Sequence, residues 1–151
     1  MIRKARFSEI EEIQRLINRY AQEGALLPRS LNELYENLRD FFVWEEKGKI
    51  LGCCALHISW EDLAEIKSLA VNKRARGRGM GSRLLQSALS EAKDLGVKKV
   101  FALTNQEKFF KKNGFKKIEK ENLPHKIWGE CIRCPKFPDC DEVAMIFLVD
   151  N

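Results

Sequence analysis

The sequence predicts an α/β (α+β) domain built on one mixed sheet with helices on both faces. Three observations carry that expectation. Helical and strand periods alternate along the chain, no Pro/Gly/Ser-rich interval divides it, and no motif recurs at a fixed period. Its 151 residues match one ordinary domain, so residues 1–151 are expected to fold as a unit with a Cys-containing insertion at about 120–141.

Ser8 with Glu11 reads as a capping box, and Ile10, Ile13, Leu16, Ile17 and Tyr20 repeat at helical spacing, so a helix is predicted from about residue 9 to Gln22. Gly24 stops it. Ser30 with Glu33 opens a second helix with Leu31, Leu34, Tyr35 and Leu38 on its apolar face. Phe41 to Trp44 and Ile50 to Ile58 are β-rich runs joined through Lys47-Gly48, a hairpin signal. A third strand runs from Glu65 to Val71. After a Gly-rich stretch, Leu84, Leu85, Ala88, Leu89 and Ala92 mark the buried stripe of a helix ending at Gly96. Val97 to Leu103 is a strand, and Asn105 is expected to cap a short helix through Lys112 that Asn113-Gly114 terminates. Phe115 to Ile118 and Val143 to Val149 complete the strands.

Composition narrows the classes of function. Apolar residues make up 44% and charged residues 32%, which argues against disorder. No apolar run approaches the roughly 18 residues of a membrane span. The opening residues carry no apolar signal core, so a cytoplasmic protein is expected, with no membrane partner. The net charge of +5 is unevenly spread: Lys73, Arg74, Arg76, Arg78 and Arg83 fall in one interval without an acid.

That interval carries the chemistry. A strand, a loop with Gly77, Gly79 and Gly81, and a helix start in succession leave main-chain N–H groups facing outward. Such amides and the helix dipole form an anion site, to which Arg74, Arg76 and Arg78 add charge-assisted donors suited to a diphosphate. A solvated basic surface loop is the alternative. The spacing is neither that of a dinucleotide fingerprint nor that of a P-loop.

Arg76-Gly77-Arg78-Gly79-Met80-Gly81 resembles the Arg/Gln-x-x-Gly-x-Gly/Ala signature of the GNAT superfamily of acetyl-CoA-dependent N-acetyltransferases, and Leu69-Ala70-Val71 resembles its preceding strand. Phe109-Phe110-Lys111-Lys112-Asn113-Gly114-Phe115 resembles a second landmark of that family. The resemblance implies a mostly antiparallel sheet of six to seven strands with about four helices. It also implies acetyl-CoA as cosubstrate, its diphosphate on the amides of Arg76, Gly77, Arg78, Gly79, Met80, Gly81 and Ser82. The pantetheine would pair with Leu69, Ala70 and Val71, in a gap where that strand splays from Ala102 to Asn105. Asn105 and Phe110 belong to the implied cofactor site. Phe110 stands where the family often has Tyr, so it cannot donate a proton to the departing thiolate.

Glu65 matches the position of a general base in many members, and a surface acid at a strand start is the other reading. Cys53 and Cys54 could accept an acetyl group, but as strand neighbours they point to opposite faces and one is expected in the core; direct transfer is preferred. The segment from Gly24 to Ser30 resembles the helix entry of N-acetylglutamate synthases, and the chain end resembles short stand-alone members of that group. Arg29, Ser30 and Lys126 are the implied substrate contacts. An amino-acid-kinase-like domain such as the long forms carry is not expected here.

Cys131, Cys134 and Cys140 supply three soft ligands at zinc-compatible spacing, with His125, Cys53 or Cys54 as a fourth. Packed or exposed thiols that pin a loop near the substrate, or a reversible disulfide, are the alternatives. Taken together, the expected activity is acetylation of the α-amine of L-glutamate, the first step of arginine biosynthesis. Glutamine, a polyamine or a protein N-terminus are alternative acceptors. A metal-containing nucleic-acid module is a third reading; it lacks interleaved aromatics, and no nucleic-acid partner is expected. The expected partner is a small amino acid, and a homodimer is compatible.

Overall fold

Among the described residues seven strands hydrogen-bond into one sheet, in the order Ile2–Lys4, Phe41–Glu46, Lys49–Trp60, Leu63–Val71, Lys99–Thr104, Val143–Leu148, Lys116–Ile118. The computed structural model describes residues 1–22, 28–122 and 142–149. The strands are β1 (Ile2–Lys4), β2 (Phe41–Glu46), β3 (Lys49–Trp60), β4 (Leu63–Val71), β5 (Lys99–Thr104), β6 (Lys116–Ile118) and β7 (Val143–Leu148). The α-helices are α1 (Ile10–Gln22), α2 (Leu31–Glu36), α3 (Met80–Leu95) and α4 (Glu107–Lys112). Every neighbouring pair is antiparallel except β4–β5. That parallel pair needs a crossover, and α3 provides it.

The expected periodicities place the helices. Ile10, Ile13, Leu16 and Ile17 of α1 are buried against Val43, Cys53 and Ala70 on one face. The stripe Leu84, Leu85, Ala88, Leu89 and Ala92 of α3, with Phe110 of α4, packs on the other face against Cys54, Ile66 and Val100. Each fully buried aliphatic side chain contributes about 1.5–3 kcal/mol. Gly96 ends α3 in the left-handed region, φ +81°. Lys47 (φ +51°) and Gly48 (φ +78°) make the turn of the β2–β3 hairpin, the two positive φ values matching strand twist. Among the described residues no helix is long and apolar enough to cross a membrane.

Several local expectations are corrected. Strand β1 was not signalled: three residues are too few to show a period, and it forms because β2 offers it an edge. Ser8 does not cap α1. It lies inside a 3-10 turn, Phe7–Glu9, at whose start Glu9 Oε1 accepts from the Arg6 N–H at 2.9 Å. Ser30 does cap α2, accepting from the Glu33 N–H at 3.1 Å. That helix is short, however, and of its expected apolar face Leu34 is buried while Leu31 and Tyr35 are exposed, the latter ring stacked on Phe7. Nor does Asn105 cap α4: its N-terminal flank is Gln106, whose N–H donates to Thr104 Oγ1 at 2.8 Å.

Candidate active site

The cleft originates in a failure of strand pairing. Strands β4 and β5 are in register at Leu63↔Lys99, Ala64↔Val100 and Glu65↔Phe101, and their pairing ends there. Residues 66–71 of β4 and 102–104 of β5 therefore border a wedge-shaped opening. On its other edge β4 carries a bulge: Cys53 pairs with Ala70 and Ala55 with Lys67, leaving Ser68 and Leu69 opposite one residue. Ser68 takes φ +54°, and bulges bend the strand that carries them. Glu65, the last paired residue, thus sits at the vertex of the fork.

A cavity of about 550 Å³ runs through this fork. One end is made of main chain. Gly77 (φ +87°) and Gly79 (φ +72°) hold conformations that other residues adopt at a cost, and no protein atom lies within 4 Å of where a Cβ would stand on either. The first α3 hydrogen bond of the turn is Arg83 N–H to the Gly79 carbonyl, so the amides of Met80, Gly81 and Ser82 are the free donors of a 16-residue helix. All three residues line the cavity. Packing closes this end from beneath: the Phe110 ring stands edge-on to Phe109 and Phe115 at 5.3 and 5.0 Å.

The other end is made of side chains from distant parts of the chain. Glu65 is buried, at 7% exposure, and its Oε1 lies 3.6 Å from Lys67 Nζ. Arg29 reaches the same cavity from the approach to α2. Its N–H donates to Asn18 Oδ1 and its carbonyl accepts from Gln14 Nε2, both at 3.1 Å, so α1 anchors it, while its guanidinium holds Glu33 at 3.2 Å. Across the strand pair from Glu65 stands His57, with Nδ1 2.7 Å from Asp40 Oδ2.

Tyr20 connects the two ends. Its hydroxyl accepts from the Val71 N–H at 3.1 Å and from Arg76 Nε at 2.9 Å, and donates to the Val71 carbonyl. The Arg76 guanidinium lies 4.7 Å from the centre of the Tyr20 ring. Val71 is therefore engaged by a side chain where pairing to a ligand was expected, and the open edge of β4 is 66–70.

Of the residues singled out from sequence, Arg29, Glu65, Leu69, Val71, Arg76, Gly77, Gly79, Met80, Gly81, Ser82 and Phe110 surround one cavity. Four do not. Arg78 is turned away by Glu46, at 2.6 and 3.1 Å, a bond that lowers the Glu46 pKa and raises that of Arg78. Ser30 spends its hydroxyl on the α2 cap. The Ala70 methyl is buried on the α1 face, and Asn105 is exposed beside its neighbour Gln106. Lys126, His125, Cys131, Cys134 and Cys140 lie outside the described residues. Among the described residues no three metal-binding side chains cluster.

Cys53 and Cys54 are both core residues, one on each face of the sheet, where one had been expected. Both thiols are shut off from solvent, and burial pushes Cys53 up to about 12 and raises Cys54 as well, which disfavours the thiolate that an acetyl acceptor needs. Sequence reading missed Lys67 and Tyr20. Lys67 was detectable, because residues two apart in a strand share a face with Glu65; nothing local pointed to Tyr20.

Comparison with known proteins now bears on this geometry. The acetyltransferase (GNAT) family profile matches residues 7–115. The chain belongs to the GNAT acetyltransferase family. An uncharacterised N-acetyltransferase of Chlorobaculum tepidum is 45% identical over 96% of this chain and 94% of its own length. The amino-acid acetyltransferase of Mycobacterium tuberculosis is 37% identical over 88% of this chain and 78% of its own length. Among solved structures, a GNAT neighbour from Mycobacterium tuberculosis, in complex with CoA and NLQ, superposes with a TM-score of 0.85 at 32% identity, covering 99% of each chain. N-acetylglutamate synthase of Neisseria gonorrhoeae, complexed with coenzyme A and N-acetyl-glutamate, gives a TM-score of 0.92 at 29% identity over all of this chain and 35% of that one. This chain thus corresponds to about a third of that longer synthase.

Proposed function

We propose that the protein transfers the acetyl group of acetyl-CoA to the α-amine of L-glutamate. The observation that carries this reading is the fork itself: one continuous cavity joins free helix amides at one end to a buried carboxylate and an anchored arginine at the other. The ligands of the two neighbours, coenzyme A with N-acetyl-glutamate and CoA with NLQ, support it.

The residues fit a diphosphate-bearing cosubstrate. The amides of Met80, Gly81 and Ser82, with Arg76 and the exposed main chain at Gly77 and Gly79, would hold the diphosphate. The open edge at 66–70 would take the pantetheine arm as a strand takes a neighbour, and the N–H of Leu69 would stabilise an oxyanion. Bound acetyl-CoA supplies an acetyl carbon activated for attack. An ammonium has no lone pair to attack with, so Glu65 would take its proton and leave the free amine. Phe110 has no acidic hydrogen; a thiol of ordinary acidity, about 8.5, leaves as thiolate and draws its proton from water. Arg29 would pair with a carboxylate of the acceptor, exchanging Glu33 for it. A place in arginine biosynthesis and a cytoplasmic location belong to the same proposal.

The test is acceptor-dependent thiol release from acetyl-CoA across a panel of glutamate, glutamine, other amino acids, spermidine and a peptide with a free N-terminus. Release with glutamate is expected to exceed release with every other acceptor. Turnover confined to spermidine or the peptide would overturn the amino-acid reading.

A further inference from the structure

Lys67 follows Glu65 by two residues in β4, so both side chains rise from the same face, and both line the cavity. Their charged atoms are 3.6 Å apart, with the side chains 23% and 9% exposed. Four cations line the cavity among the described residues: Arg29, Lys67, Arg76 and Lys112. Arg76 belongs to the loop before α3 and Lys112 to the last turn of α4. Lys67 stands beside Glu65, and Arg29 lines the cavity from the approach to α2.

A free α-amino acid carries its ammonium and its α-carboxylate on one carbon, so the opposite charges are on the order of 3 Å apart. That spacing mirrors the Glu65–Lys67 pair. We propose that Glu65 and Lys67 form a template for the zwitterion of an α-amino acid, Lys67 binding the α-carboxylate while Glu65 faces the α-ammonium. The inference rests on the acetyltransferase reading above and deepens it: a free α-carboxylate becomes the feature that separates amino acids from other amines. Arg29, entering from the α2 side, is left for the side-chain carboxylate.

The exchange is balanced in charge. Without acceptor, Glu65 and Lys67 neutralise each other; with it, one ion pair becomes two, and neither charge is left buried alone. When the ammonium passes its proton to Glu65, the carboxylate becomes a neutral acid and the electron pair of the broken N–H bond stays on nitrogen as the attacking lone pair. Lys67 then belongs wholly to the α-carboxylate, which stays in place while the N–C bond forms and the C–S bond breaks; the sulfur leaves as thiolate and takes up, through water, the second proton that the nitrogen sheds on becoming an amide.

The experiment compares L-glutamate, L-glutamine and the α-amide of L-glutamate as acceptors, by kcat/KM at saturating acetyl-CoA, for the unaltered protein, Lys67→Met and Lys67→Arg. Each ratio is taken within one variant, so partial loss of folded protein cancels. The unaltered protein is expected to favour glutamate over its α-amide by about tenfold or more, the worth of a charge-assisted hydrogen bond. Lys67→Met should bring that ratio to near unity and leave the glutamate-to-glutamine ratio unchanged, and Lys67→Arg should restore most of it. A Lys67→Met enzyme that still rejects the α-amide as strongly overturns the template while leaving glutamate acetylation standing. If the unaltered protein acetylates no amino acid at all, the parent reading falls and the template with it.

Discussion

The two ends of the cleft are built from different materials. At the α3 end the donors are main-chain amides, delivered by consecutive residues 77–82 whose conformation two glycines permit. At the Glu65 end the groups are side chains from β4 and from the approach to α2, and Arg29 is brought there through bonds to Asn18 and Gln14 of α1. A site made of backbone tolerates changes of side chain and is sensitive to backbone conformation; a site made of side chains behaves the opposite way. Substitutions at the two ends should therefore separate cosubstrate binding from acceptor chemistry.

The sharpest break is Glu65→Gln. It keeps shape and removes the base, so kcat should fall by about a hundredfold or more, with the KM for acetyl-CoA little changed. Full turnover in this variant would place the proton acceptor elsewhere. Next is Arg29→Met, expected to raise the KM for glutamate by about tenfold while leaving coenzyme A affinity alone, as measured by titration calorimetry. An equal loss toward glutamate and glutamine would show that Arg29 reads something other than the side-chain carboxylate.

At the other end, Gly79→Ala adds a Cβ to a residue at φ +72°, a cost of about 1–2 kcal/mol in the left-handed region. The loop is expected to leave its conformation, weakening coenzyme A binding by roughly fivefold to tenfold with no change in preference among acceptors. Gly77→Ala should act in the same way.

The smallest effect serves as a control far from both ends. Arg3 donates to Glu9 at 2.5 and 2.9 Å, and that bond, opposed by burial, holds the Glu9 carboxyl below its ordinary value of 4.5. A carboxyl depressed in the folded state adds stability that is present above its unfolded pKa and is lost as pH falls through the folded one. Stability should therefore decline below about pH 4.5, and Glu9→Gln should flatten part of that decline in thermal melts while sparing activity at neutral pH. An unaltered acid limb would assign the acid sensitivity to other carboxylates.

Lys67 and Tyr20 show where local reading stops. Lys67 carried a usable signal, since strand alternation puts it beside Glu65, but a lysine two places from an acid is ordinary in any strand. Tyr20 carried none, because its partners Val71 and Arg76 are more than fifty residues away and only the packing of α1 across β4 brings its hydroxyl to them. The bulge at Ser68 was equally hidden: a serine gives no hint of φ +54°, and register with β3 imposes it.

What the sequence determined alone was whatever depends on neighbours in the chain. The stripes of α1 and α3, the Lys47-Gly48 turn, the Ser30 cap and the glycine loop before α3 all follow from periods and conformations spanning a few residues. Tertiary structure decided the rest: the end of β4–β5 pairing at Glu65, the rejection of Arg78 from the cavity by Glu46, and the meeting of Arg29, Glu65 and Lys67. Those outcomes are set by contacts between segments remote in sequence, whose energies no local pattern records.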